Sequence, residues 1–260
     1  AGTYIFHGAA MMADPQVTDL LLRGNPCHEE AEEVALAAGV DYMINVTVDE
    51  HFRVTGVYAG DIIEAHRRAV EKVLATVAIP AASKYDVVIT HGGFVGINHY
   101  QGAKAATAVI PVLKPGGHVI MAADLTDADP VGSRQYRTLI HLLKLFGATA
   151  FNRLIQSPDW PFVPDQWQVQ MWARLFAHIP PEHLIFFGPQ LTAADYSILP
   201  GRAGRGFAKI EPASSDGMEQ IARFVRGSIE EIIAYYAREG KGRPSMVYLA
   251  DGPYGIPMRP

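Results

Sequence analysis

A histidine and two glycines stand where a short β-branched run ends: Tyr85-Asp-Val-Val-Ile-Thr90 leads into His91-Gly92-Gly93. A Gly-Gly step lets backbone approach a ligand closely, and His91 would point into or beside the crevice there. Tyr100, Gln101 and Lys104 follow on the next helical pattern. Gln101 and Lys104 are three apart, so they share one helical face near its start. An ammonium and an amide at a helix N-terminus facing a crevice make an anion site. Plainer readings compete. Glycine pairs after strands are ordinary turn chemistry, and a lysine on a surface helix is ordinarily just solvated.

The remaining chemistry is sparser. The chain has 10 histidines, but none form the close pairs of a zinc motif beside a glutamate. Each is better read alone as a structural histidine. Gly201-Arg-Ala-Gly-Arg-Gly206 resembles a phosphate loop without the Walker lysine and reads as a flexible basic loop. Asp165-Gln166-Trp167 has the form of a helix start with Asp165 as N-cap. Cys27, at another helix start, reads as an incidental thiol.

The elements that must position these residues alternate. Asp14-Pro15 and Asn25-Pro26 each read as an N-cap followed by proline at the first helical position. They predict helices ending at Gly24 and Gly39. Tyr42–Val48 and Phe52–Tyr58 predict an antiparallel hairpin, and Asp61 caps the helix that follows. Tyr85–Thr90, a helix over about 98–113 and His118–Asp124 make a strand–helix–strand unit, expected right-handed. Helices follow around 133–145, 165–178 and 218–239, with strands at His183–Phe187 and Ser245–Ala250. The Gln156–Pro164 stretch reads as a surface loop. The pattern predicts an α/β fold: a mostly parallel, Rossmann-like sheet flanked by helices, with an antiparallel hairpin in its N-terminal part. Ligands of such sheets bind beyond the carboxyl ends of the strands, which selects His91–Gly93, the stretch after Asp124, the loop after Phe187, and Asp251-Gly252.

Bulk properties narrow the class. Apolar residues make up 49% of the 260 and charged residues 19%, ordinary for a packed core. A net charge of -5 implies no basic face and argues against nucleic acid as partner. No apolar stretch is long enough to cross a bilayer, so no membrane partner is expected. One cysteine allows no internal disulfide and suits a reducing, cytoplasmic setting.

Several segments together resemble the C-terminal half of the lactate racemase family. Ala38-Gly-Val-Asp-Tyr-Met-Ile-Asn-Val-Thr-Val-Asp49, Val57-Tyr-Ala-Gly-Asp61 and Ala65-His66 are similar to its hairpin and following helix. Tyr85–Gly93 and Tyr100-Gln-Gly-Ala-Lys-Ala-Ala106 resemble its glycine loop and Tyr-Gln-x-x-Lys helix. Pro164-Asp-Gln-Trp167 with Ala173-Arg174, Tyr236-Ala-Arg-Glu-Gly240 and Leu249-Ala-Asp-Gly252 resemble later elements, in order and spacing.

The resemblance implies a 2-hydroxy acid racemase or epimerase that uses a nickel-pincer nucleotide. The substrate Cα hydride would pass to the cofactor's pyridinium ring while a histidine takes the hydroxyl proton. His7 matches the nickel-ligating histidine. Gln101 and Lys104 match the catalytic pair lining the pocket, with Tyr100, His91, Gly92 and Gly93 beside them. The resemblance makes residues 1–30 a remnant of the interdomain region and 31–260 the C-terminal domain. It places the lysine that bonds to the pincer just before Ala1, and the acid–base histidines in the family's N-terminal domain. That domain is then the expected partner, the cofactor belongs to the full-length protein, and this chain alone is incomplete. An apolar face left where that domain would pack favours a homodimer. Two departures point to a relative with a different 2-hydroxy acid or an unknown substrate. The family's Pro-Leu-Asp is here Val95-Gly96-Ile97, and its glycine- and histidine-rich stretch is Asp124-Leu-Thr-Asp-Ala-Asp-Pro-Val-Gly-Ser133. A non-catalytic binding or assembly domain is the alternative. A nucleotide-dependent oxidoreductase is weaker, because Gly92-Gly93 does not extend to G-x-G-x-x-G.

Overall fold

A computed structural model describes residues 7–49, 51–208 and 217–258. The chain divides into two compact units, the first ending at Ile79 and the second beginning at Pro80.

In the first unit a short helix α1 (Ala9–Ala13) precedes α2 (Pro26–Ala37), β1 (Met43–Val48), β2 (Val54–Gly60) and α3 (Ile62–Val77). Asn25 caps α2 by accepting from the Cys27 N–H, with Pro26 at the first position as expected. Asp61 likewise caps α3, accepting from Ile63 and Glu64. β1 and β2 pair antiparallel, with Ile44 opposite Ala59 and Val46 opposite Val57. The helix expected from Asp14 to Gly24 does not form. The Asp14 carboxylate turns the chain locally by accepting from Gln16 N–H, Leu20 sits at φ 61°, and the Asn25 amide donates to Leu21 O. Those side-chain bonds compete with helical ones.

The second unit is a doubly wound sheet. Its strands are β3 (Tyr85–His91), β4 (Leu113–Ala122), β5 (Leu184–Phe187), β6 (Arg202–Ala203) and β7 (Met246–Tyr248). They lie in the order β6-β5-β4-β3-β7, and every pair is parallel. The chain builds outward from β3 to β6 and then returns to β3's other side with β7. The order therefore reverses between β3 and β7, where such folds place ligands. The helices are α4 (His99–Ala108), α5 (Arg134–Ile155), α6 (Gln166–His178), α7 (Ala193–Ile198) and α8 (Gly217–Arg238). Both sheet faces are covered, so β5 is buried at every position and reads as a continuous apolar run. Val87, Ile120, Ala122, Ile185 and Phe187 face Phe224 and Ile232 of α8. On the opposite face, Gly102 of α4 lets Met121 and Trp172 approach to 3.3 and 3.7 Å of where its Cβ would stand.

Three local expectations change. The helix expected to end near 145 runs to Ile155 across a break at Gly147, φ 76°. Asp165 precedes α6 but does not cap it. It adopts φ 72°, and its carboxylate accepts from Ser133 Oγ. Gly201–Gly206 is not a free basic loop. Arg202 and Ala203 form the edge strand, Arg202 stacks on Phe207 and reaches Glu231, and Gly204 lies where a Cβ would strike Phe187 and Phe224.

The stretch from Asp124 to Ser133 is held by ion pairs. Asp129 accepts from Val131 and Gly132 N–H and pairs with Arg137, which also holds Asp195. The hydrogen-bonded Arg137 guanidinium keeps the Asp129 carboxyl below its ordinary range. Burial pushes Asp195 up, but hydrogen bonds from Thr192 and Arg137 outweigh it and lower its pKa. Both folded values lie below the unfolded ones. Their stabilisation is therefore complete above the ordinary aspartate range and is lost as pH falls through the folded values. Thermal unfolding between pH 7 and pH 3 should show a steep loss of stability below about pH 4. Arg137→Met should cost roughly 1–3 kcal/mol at pH 7 and flatten that acid limb; an unchanged limb would contradict this account.

Candidate functional site

The switch point between β3 and β7 is filled by side chains of the chain itself. The Gly93 N–H donates to His91 Nδ1 at 3.1 Å. That fixes the tautomer with hydrogen on Nε2, which donates to Ala250 O at 2.9 Å. Both ring nitrogens are thus committed to joining the β3 and β7 loops. Gly92 is buried, its N–H bonded to Ala122 O. Gly93 sits at φ 57°, and a Cβ there would come within 2.6 Å of the Tyr254 ring. The Tyr254 hydroxyl accepts from Val95 N–H, and the ring stacks on Phe94 at 4.6 Å. His91, Gly92 and Gly93 therefore shape the loop that delivers the chain to α4.

That helix begins with every free donor taken. His99 N–H donates to Pro130 O at 2.8 Å and Tyr100 N–H to Val131 O at 3.1 Å. The Gln101 N–H donates to Asn98 Oδ1 at 2.8 Å. An α-helix leaves its first N–H groups for caps, water or ligands; here the loop after β4 uses them. The backbone N–H groups of the helix end are thus taken, and what polar chemistry the helix offers falls to its side chains.

Three side chains offer it. The Gln101 Oε1 atom is buried without a hydrogen-bond partner. Lys104, one turn on, is exposed, and its ammonium makes no hydrogen bond or ion pair with the described residues. The Tyr100 hydroxyl accepts from Trp167 Nε1 at 3.1 Å, which leaves its own O–H to donate. Burial raises the Tyr100 pKa, so it stays protonated. Tyr100 thus offers an O–H donor, Gln101 a buried acceptor and Lys104 an exposed cation, with Lys104 one turn from each of the other two. The helix rests on tight backing, because Gly102, Ala103, Ala105 and Ala106 are buried.

His7 lies in the first unit, in the turn before α1. Among the described residues, no group of three or more His, Cys, Asp or Glu stands ready to hold a metal. His99 and His118 are structural. His99 is fully buried, stacks on Trp172 at 4.4 Å and bonds Tyr136 at 2.7 Å; burial holds its pKa down to about 3. His118 stacks on His183 at 3.9 Å and is also lowered to about 3, first by burial. The sequence reading missed Asn98, Asp127 and Tyr254. An Asn one residue before a helical pattern was the available signal for Asn98. Nothing local marks the other two, whose partners are distant in sequence.

Comparison with known proteins places this architecture. Residues 81–187 match the family described as the lactate racemase C-terminal domain. The chain is 30% identical over 183 residues to a lactate racemase of Lactiplantibacillus plantarum, covering 69% of this chain and 41% of that protein. It is 29% identical over 171 residues to the lactate racemase of Thermoanaerobacterium thermosaccharolyticum, covering 65% and 39%. The chain spans about two fifths of the length of these relatives. The lactate racemase apoprotein structure from T. thermosaccharolyticum shares the fold at a TM-score of 0.75 and 20% identity, over 98% of this chain and 54% of that one. The chain carries a C-terminal domain of the lactate racemase family.

The loop geometry makes its own prediction. Gly93→Ala should destabilise the protein by at least about 1 kcal/mol, because a side chain at positive φ is strained, with further cost from the Tyr254 contact. Unfolding in urea checks this, and an unchanged midpoint would contradict the loop's role.

Proposed function

With a lactate racemase C-terminal domain as the starting point, we propose that this chain is the C-terminal part of a 2-hydroxy acid racemase or epimerase that works with a nickel-pincer nucleotide. Gln101 together with Lys104, one turn on along the same helix, carries the reading. The Gln101 amide oxygen has no donor among the described residues, and in this reading the hydroxyl of a 2-hydroxy acid supplies one. The Lys104 ammonium suits the substrate carboxylate, a charge-assisted contact stronger than a neutral one, and the Tyr100 O–H is a second donor for it. These groups fit a small anionic hydroxy acid without the helix end taking part.

The chain's residues also suit the cofactor. The imidazole of His7 is a donor type that nickel accepts, and His7 enters this reading as a single ligand. When bound, the nucleotide would supply a hydride acceptor. Binding and orienting the substrate fall to Tyr100, Gln101 and Lys104, and the loop at His91, Gly92 and Gly93 holds their helix in place. The acid–base histidines and the lysine attached to the cofactor are assigned to the N-terminal domain, which is the proposed partner. The outward side of the β1–β2 hairpin supports such a partner. Ile44, Val46 and Val57 are 68%, 47% and 63% exposed, and exposed apolar patches of this kind mark interaction surfaces. A second copy of the chain is the other candidate for that face.

In the full-length protein, Lys104→Met should lower kcat/KM for its 2-hydroxy acid by about a hundredfold or more, with the thermal midpoint unchanged. Gln101→Ala should lower it at least tenfold. Full turnover in both variants would remove this helix from the site and leave a non-catalytic binding or assembly domain as the better reading.

A further inference from the structure

We infer that Asp127, acting through Asn98, is the positioning residue that sets Gln101 for catalysis; this rests on the role given to Gln101 above. Asn98 is 7% exposed, and its amide meets two partners of opposite kind. Its Nδ2 donates to Asp127 Oδ2 at 2.6 Å. Its Oδ1 accepts the Gln101 N–H at 2.8 Å. A carboxylate only accepts and a backbone N–H only donates, so one orientation of the amide satisfies both. Both partners select the same orientation, and Asp127 supplies the charge-assisted half of that selection. Turned over, the amide would set donor against donor at Gln101 and acceptor against carboxylate at Asp127.

The grip has a second point. The Asp127 N–H donates to Ile97 O at 2.9 Å, so one residue holds the chain immediately before α4 by both backbone and side chain. Its own loop is anchored in turn through Asp129 and Arg137. The Asn98 bond ends on the backbone of Gln101, the residue whose Oε1 is buried and unpartnered. A carboxylate–amide contact this short is charge-assisted. Without it, the Gln101 N–H alone orients Asn98, the cap on that N–H weakens, and the first turn shifts. A misplacement of about 1 Å at a substrate-positioning group can cost about a hundredfold in rate.

A swap tests the idea in the full-length protein. Asp127→Ala removes the charge-assisted half of the selection. Asn98→Asp sets two carboxylates against each other. The double variant, Asn98→Asp with Asp127→Asn, rebuilds the pair in reverse: the carboxylate still caps the Gln101 N–H, and the new amide donates to it. The readouts are hydrogen exchange at the Gln101 amide and kcat and KM with a 2-hydroxy acid. Both single variants should speed Gln101 exchange about fivefold or more, the scale of a lost N-cap. They should lower kcat about tenfold with a smaller change in KM, and the double variant should bring exchange and kcat back to within about threefold of the parent. Unchanged exchange in Asp127→Ala overturns the proposal, as does a double variant no better than the singles. If Gln101→Ala costs turnover but Asp127→Ala does not, this inference falls and the site reading stands. If Gln101→Ala costs nothing, the site reading falls and takes this inference with it.

Discussion

The N–H groups that open α4 cannot be left unpaired where water is excluded. His99, Tyr100 and Gln101 hand theirs to Pro130 O, Val131 O and Asn98 Oδ1. That constraint fixes the loop after β4 against the loop after β3. It also explains why the loop carries Asp129, whose carboxylate ties it to Arg137 and through that to Asp195 on α7. With those N–H groups taken, the side chains of Tyr100, Gln101 and Lys104 are the ones the proposed substrate contacts would use, on a helix held by a polar clamp between two loops.

Legibility in the sequence followed the range of the interactions. The β3–α4–β4 unit was readable because β-branched runs, terminal glycines and an Asn before the helix act locally. The hairpin and the caps at Asn25 and Asp61 were readable for the same reason. The stretch after Asp14 was misjudged because Asp14-Pro15 serves a turn as readily as a helix, and the local side-chain bonds of Asp14 and Asn25 won. Asp165 looked like a cap but spends its carboxylate on Ser133. Arg202 looked free but is bound by the nearby Phe207 ring and by a carboxylate far along the chain, Glu231.

The candidate site divides in the same way. Gln101 and Lys104 were visible from their spacing and from the family resemblance, and the structure adds that the Gln101 amide oxygen is one of several buried side-chain atoms without a partner among the described residues. His91 was marked for its chemistry, yet its two nitrogens are spent on Gly93 and Ala250. The clamp through Asp127 was invisible, because it joins residues whose proximity only the sheet creates.

The central claim is that this domain helps a full-length protein invert a 2-hydroxy acid. The most direct test follows optical rotation while nickel-loaded full-length protein is incubated with single enantiomers from a panel of 2-hydroxy acids. The account predicts that the rotation of at least one decays to that of a mixture of stereoisomers. Nickel-loaded protein that leaves every member of the panel optically unchanged would contradict it.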